Sequence, residues 1–555
     1  MKKRGIHITE FFLTVGIIIL MNIIFSQYFF RVDLTEDKRY TISQASKDVL
    51  HDLDDVVYIR VFLAGDLPGG FKRLEKSVKE MLDEFRIYGG DKIQYEFIDL
   101  MAETDPQMRS RMINQVTMRG VQPTNVYEKG KEGNIEKLIF PGALISYKKK
   151  EVPVLLLKGN KAAGSAEILN QSVEGLEFEL TSAIKQLVMK KRKSIAFVEG
   201  HGEYPGKNLE DIAQGISKYY DVYTVNLSKV KNLDIYDGLI IARPQTEFSE
   251  QEKFIIDQFI MNGSKVLFYL DALKIDLDSL AKGPTVAVSY NYNLDDLLFK
   301  YGVRVNQTLV QDLNSGYIPM NVGTVGDKPE IKMVSWRYFP LLNTFSNHPI
   351  VKNMDAVYSK FVANIDTVKA TGIKKTPLVL TSKYSRVYTA PVMVDLEQAR
   401  KKADPADYKQ GNIPVYYLLE GSFTSLYKNR PLPVQNSKFM EQGKATKLIV
   451  CSDADIIKNE TDQNGRTLPL GYDRATQQTF GNKDLVMNSL NYLLDEDGVI
   501  DIRAKEVALR PLDKIKLRDD STDWQIINLV LPVLLVVVFG IARHYIRKRK
   551  YESFK

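Results

Sequence analysis

The chain has 555 residues, 44% hydrophobic and 26% charged, with one cysteine and a formal charge of +7 at pH 7. A single cysteine excludes an intramolecular disulfide, a CxxC redox pair and a cysteine zinc site, and the five scattered histidines form no HExxH or paired spacing, so no metal site is expected. Nine cationic and two acidic side chains fall in residues 1–10 and 543–555, so the long middle is charge-balanced and lacks the basic stripe of a nucleic-acid binder.

After a short basic tail, 1–7, residues 8–30 form a hydrophobic run with no charge apart from Glu10. A bilayer core of about 30 Å needs roughly 20 such residues in a helix, so this segment spans. It exceeds the apolar core of a signal peptide, and the Phe25-Ser26-Gln27-Tyr28 stretch is too bulky for a cleavage site, so it reads as a retained anchor. Residues 524–542, led in by Trp524, form a second apolar segment, followed by a basic tail, 543–555, with Arg543, Arg547, Lys548, Arg549 and Lys550. Basic flanks stay in the cytoplasm, which places both termini inside and residues 31–523 outside.

The external part reads as two α/β domains. In residues 31–190, Ser43 is set to cap a short helix, and residues 56–63 are rich in β-branched residues. Leu74, Val78, Met81, Leu82 and Phe85 have helical spacing across 71–88, and residues 93–98 form another strand. Residues 135–147 and 152–157 read as a hairpin across the charged Lys148–Lys150 turn. The order is thioredoxin-like, and a helical linker over 168–189 closes it.

Residues 191–495 alternate strand and helix: strands at 194–200, 222–226, 238–242 and 265–270, helices at 209–220 and 249–261, with Ser249 and Glu252 spaced as a capping box. This pattern predicts a doubly wound, mostly parallel sheet. Residues 272–440, rich in Asn, Tyr and Pro, read as an insertion or extension with short strands at 377–381 and 415–419. Residues 447–451 return as a buried strand, 484–494 as a helix, and 496–523 form a polar stalk before the second anchor.

Loops at the carboxyl ends of parallel strands carry ligands in such sheets, so residues 199–208 (EGHGEYPGKN) draw attention. The phosphate-loop spacing fails, because its first glycine would fall at His201 and Asn208 stands where Ser or Thr is needed. Glu199, His201 and Glu203, two apart in an extended loop, point one way and form an acid–base or interaction cluster; the structural alternative is a rigid glycine turn whose His and Glu cap the following helix. Asp271, Asp453 and Asp455 also follow strands and form either helix caps or a shared acidic pocket. Cys451 lacks the glycine-flanked turn of a nucleophile elbow and reads as a buried thiol. Trp336, Tyr338, Phe339, Tyr384 and Tyr388 read as core or interface aromatics, or as a platform for sugars. No catalytic residue and no cofactor is expected.

The runs VDLTEDKRYTIS after the first anchor, FVEGHGEY at 197–204, YDGLIIARP at 236–244 and KLIVCSDADI at 447–456 resemble the GldG family of gliding-motility-associated ABC transporter proteins and the wider auxiliary family of ABC-2-type exporters. The resemblance spans nearly the whole chain. It implies a glutamine-amidotransferase-like second domain without the catalytic cysteine. It also implies a non-enzymatic, substrate-binding-like subunit of the bacterial inner membrane, working with a polytopic permease and, through it, a cytoplasmic ATP-binding subunit. No Walker motif is present, and two spans cannot form a translocation path alone. A homodimer within that complex, contact with membrane lipid and no nucleic-acid partner are the corresponding expectations. The competing readings are a glycan- or lipid-binding module and a membrane-anchored hydrolase using Glu199, His201 and Glu203.

Overall fold

The computed structural model describes residues 12–21, 41–130, 133–158, 164–189, 191–325, 327–434, 439–495, 497–504 and 520–552. The chain divides into two compact units, Met1–Glu506 and Val507–Lys555. Of the first expected anchor, residues 12–21 are described and form an apolar helix, α1 (Phe12–Met21); the rest of that anchor lies outside the described residues, as do the first basic tail, most of the stalk and the end of the second basic tail.

The first sheet combines β1 (Val57–Val61), β2 (Ile93–Phe97), β3 (Gly142–Tyr147) and β4 (Lys150–Leu155) in the order β2-β1-β3-β4. β1 and β2 are parallel, and β3 and β4 join antiparallel. Ser43 caps α2 (Gln44–His51), its side chain accepting the Ser46 N–H. Helices α3 (Gly69–Gly89) and α5 (Ser165–Val188) pack on one face, where Val57, Ile59 and Val61 meet Leu74, Val78, Leu82 and Phe85. α4 (Pro106–Met118) covers the other face through Val116, against Phe62 and Leu144. The expected single strand over 135–147 is two. Residues up to Ile139 pair with Thr124–Gly130 in a separate hairpin, and the chain turns at Phe140-Pro141 before β3. Proline has no N–H for a ladder, so the break follows from the sequence.

The second sheet has eight strands. They are β5 (Ser194–Glu199), β6 (Asp221–Asn226), β7 (Gly238–Ala242), β8 (Lys265–Tyr269), β9 (Thr344–Phe345), β10 (Ile373–Leu380), β11 (Pro414–Thr424) and β12 (Gln442–Cys451). The order is β9-β10-β11-β12-β8-β7-β5-β6. The five strands from β6 to β12 are parallel, in the order second, first, third, fourth, fifth, which is a doubly wound arrangement. Residues 272–440 add β9, β10 and β11 antiparallel to its edge, and build smaller antiparallel pairs beside them.

Alternate residues of the parallel strands face opposite cores, as a period of two requires. Ile195, Phe197, Ile240, Leu267 and Ile449 pack against α6 (Glu210–Ser217) and α9 (Asn482–Leu494). Ala196, Val198, Leu239, Phe268 and Val450 pack against α7 (Glu250–Met261) and α8 (Asp295–Tyr301). Trp336, Tyr338 and Phe339 belong to a third core and are almost fully buried, so they form no sugar platform; an aromatic cluster in a β-rich segment gains most by burial.

The second unit contains α10 (Ser521–Glu552). Its Ser521–Arg549 portion is long and apolar enough to cross a membrane, extending beyond the expected 524–542 at both ends.

Candidate functional site

The parallel sheet reverses its winding between β5 and β7, and a crevice forms at the carboxyl ends of strands at such a switch point. Residues 199–208 leave β5 there, and Arg243 leaves β7. Gly200 and Gly202 take φ of +120° and +78°. A Cβ on Gly200 would stand 2.8 Å from the Asn226 amide nitrogen, so the turn needs glycine. The His201 carbonyl accepts the N–H groups of Gln245 (2.7 Å) and Thr246 (3.1 Å), and the Gln245 side chain bonds the Gly202 carbonyl, tying the two strand-end loops together.

His201 is buried, its ring stacked on Phe248 with centroids 3.9 Å apart. Its Nε2 lies 3.2 Å from Glu252 Oε2, and its Nδ1 lies 3.4 Å from Glu203 Oε1 without hydrogen-bond alignment. Glu203 also accepts the His201 N–H at 2.7 Å. Glu252 completes the expected capping box with Ser249 at the start of α7. Burial lowers the His201 pKa, but the two carboxylates outweigh it and the net shift is upward. Glu252 is held below its ordinary value: burial raises it, and Ser249 and His201 more than offset that. Two expectations are corrected here. Glu199 is exposed at the end of β5 and does not join His201 and Glu203, because the left-handed Gly200 turn breaks the extended geometry that alternation assumed. His201 grips the cap of α7, two strands further on, rather than the helix that follows it.

The second cluster brings the strand-end acids together. Asp271, after β8, accepts the Ala454 N–H (2.8 Å) and faces Arg243, whose Nε is 3.2 Å from its Oδ2. Asp453, fully buried after β12, accepts the N–H groups of Lys360 and Asp455, both at 2.8 Å. Asp455 accepts the buried Tyr204 hydroxyl at 2.9 Å and lies 3.5 Å from Lys458 Nζ. Burial and the Asp455 charge push Asp271 up to about 7, against the Ala454 N–H and Arg243. Burial and the charges of Asp455 and Asp271 push Asp453 well up, opposed by its two backbone N–H groups. Lys360 ion-pairs with Glu460 at 2.8 Å. Arg243 holds φ at 59°, a left-handed conformation rare for a side chain other than glycine, and its guanidinium lies 5.0 Å from the Tyr204 ring centre. Asp453 is also a cap, for the short turn Ala454–Ile457, its side chain accepting the Asp455 N–H.

Sequence reasoning missed Arg243, Lys360 and Lys458. Arg243 carried a usable signal, the first residue after a buried strand. Lys360 carried none, because it comes from the β-rich region distant in sequence. Cys451 is wholly buried, burial pushes its thiol well up, and its Sγ lies 3.2 Å from the Asp453 carbonyl. Among the described residues no group of three His, Cys, Asp or Glu side chains is suited to a metal ion.

The class so defined is a doubly wound α/β body with strand-end loops tied to one another, in a chain that also carries a helix long and apolar enough to cross a membrane. Residues 192–489 match the family described as an ABC-type uncharacterized transport system, and the chain belongs to that family. It is thereby an auxiliary, ABC-transport-associated protein. Residues 36–146 match a domain of unknown function, DUF7088. An uncharacterized protein of Borreliella burgdorferi is 23% identical over 570 residues, covering 99% of this chain and 100% of that protein. The solved mmIFT52 N-terminal domain aligns over 55% of this chain and 99% of its own at a TM-score of 0.32 and 14% identity, too low to argue from.

Proposed function

We propose that this chain is a non-enzymatic accessory subunit of an ABC-type exporter in a bacterial inner membrane. It is held by two membrane segments, with its α/β body in the periplasm and both termini in the cytoplasm. It packs as a homodimer against a polytopic permease that an ATP-binding subunit drives, in the manner of the gliding-motility GldG proteins it resembles. The observation that carries the reading is the internal use of the switch-point groups. His201 is spent on Glu252 and the α7 cap, and the one thiol is sealed in the core. A buried side chain committed to a neighbouring cap is unavailable to a substrate proton. The strand order β2-β1-β3-β4 supports a thioredoxin-like first domain, and the second sheet supports an amidotransferase-like scaffold without its nucleophile.

The test is purification of the full-length chain from native membranes in mild detergent, with identification of what co-elutes. A stoichiometric multi-span protein, with or without an ATPase, is the expected result. Recovery of this chain alone as one monodisperse species overturns the proposal.

A second reading rests on the convergence of Asp271, Asp453 and Asp455 with Arg243 and Lys458. There the chain is a periplasmic module that binds a glycan or lipid through those residues, with His201 and Glu203 holding the loop in place. Saturable binding that D455N abolishes while the complex still assembles favours it.

A further inference from the structure

A separate cavity of about 480 Å³ opens in the β-rich region, away from the switch point. Its floor is built on one antiparallel pair, in which Gln311 of Thr308–Asp312 stands opposite Arg386 of Ser385–Thr389. Gln311 is 2% exposed, and its Oε1 accepts Arg386 Nε at 3.0 Å, Arg386 Nη2 at 2.8 Å and the Tyr408 hydroxyl at 3.0 Å. The Arg386 guanidinium lies 4.8 Å from the Tyr388 ring centre and 4.4 Å from that of Tyr408. The group is therefore fixed in plane and position, and its remaining nitrogen, Nη1, lies 3.8 Å from Asp407, its one ion-pair partner among the described residues. Arg337 donates to the carbonyls of Gln398 and Lys401, which pins the turn carrying Lys401 and Lys402 at the cavity rim. Neither lysine has an ion-pair partner among the described residues. Four cations thus line the cavity against two acids, Asp404 and Asp407. The Gln398 side-chain oxygen is buried beside them and accepts no hydrogen bond from the described residues.

A rigid guanidinium whose outer nitrogen makes one loose ion pair, two ammonium groups without an ion-pair partner among the described residues and one orphan acceptor suit a phosphate and a neighbouring hydroxyl. We infer that this cavity binds a compact phosphate ester bearing a hydroxyl, of the glycerol-phosphate type, with the phosphate on Arg386, Lys401 and Lys402 and the hydroxyl donating to Gln398. Such a group comes either as a free metabolite or as the headgroup of an anionic phospholipid. An unpartnered buried acceptor costs stability until it is satisfied, which gives the hydroxyl its place in the binding.

The experiment is calorimetric titration of the full-length chain in a neutral detergent with sn-glycerol 3-phosphate, with inorganic phosphate as the second probe. Micelles doped with phosphatidylglycerol serve as competitor. Saturable heat that weakens with added salt is expected, with glycerol phosphate binding more tightly than phosphate. The K401A/K402A variant changes only exposed side chains and should keep the thermal midpoint while losing about ten-fold or more in affinity. Competition by the doped micelles assigns the headgroup; its absence, with binding of the soluble probe intact, assigns the free ester. No saturable heat at millimolar probe, or equal affinity in K401A/K402A, overturns the site. Equal affinity for phosphate and glycerol phosphate overturns the hydroxyl contact. R386Q removes the central donor; if that variant does not fold, the lysine variant decides.

Discussion

The His201 imidazole is held inside the fold by Glu252 and by stacking on Phe248. Its folded pKa lies above the ordinary 6.5, so the stability it contributes is complete below that value and is lost as pH rises through the folded value. H201A should therefore cost about 1–3 kcal/mol near pH 5.5 and less near pH 8.5. Urea unfolding of the full-length chain in detergent measures the gap; a gap that widens with pH contradicts the account. Asp271 titrates with the same sign from a different cause. Its folded pKa of about 7 against an ordinary 3.8 means that stability falls as pH rises between those values. Asn at this position keeps an acceptor for the Ala454 N–H and removes the charge. D271N should accordingly gain on the native chain as pH rises from about 4 to 7, read as a smaller loss of thermal midpoint over that interval.

Elements were legible wherever a local rule decided them. The Ser249/Glu252 spacing announced a capping box, and both of its hydrogen bonds are present. S249A should cost about 1 kcal/mol of stability, since it removes the acceptor for the Glu252 N–H, and a fall in the denaturation midpoint without a change in slope checks this. The alternating strands from β5 to β8 were legible for a similar reason, because each buried run is bounded by turn residues. The helix α4 was not placed, although Asp105 and Pro106 are a capping residue followed by a first-turn proline, because its apolar face is narrow and only Val116 is buried. The site was legible in part. The winding of the sheet singled out the strand-end acids, with caps and a shared pocket as alternatives, whereas the withdrawal of Glu199 depends on the sign of φ at Gly200, which spacing does not encode. Arg243 and Lys360 reach the acids only through tertiary packing.

For the whole molecule, charge and hydropathy separated tails, apolar ends and a balanced body before any fold was known. The sheet itself could not be assembled from pattern alone. β12 sits at its centre between β8 and β11, although about 180 residues separate it from β8 along the chain. Nothing local marks a strand as central rather than peripheral.

That placement has a consequence for how the protein comes into being. Until Cys451 has been synthesised, β8 presents an unpaired edge flanked by apolar faces, the kind of surface that recruits other chains. A nascent chain halted near residue 440 should therefore be aggregation-prone and protease-sensitive, whereas one extended past α9, to residue 504, should resist both. Limited proteolysis of the two truncated products, made side by side, measures the difference. Residues 442–494 act as the keystone of the second sheet, and the closure of that sheet waits on the ribosome.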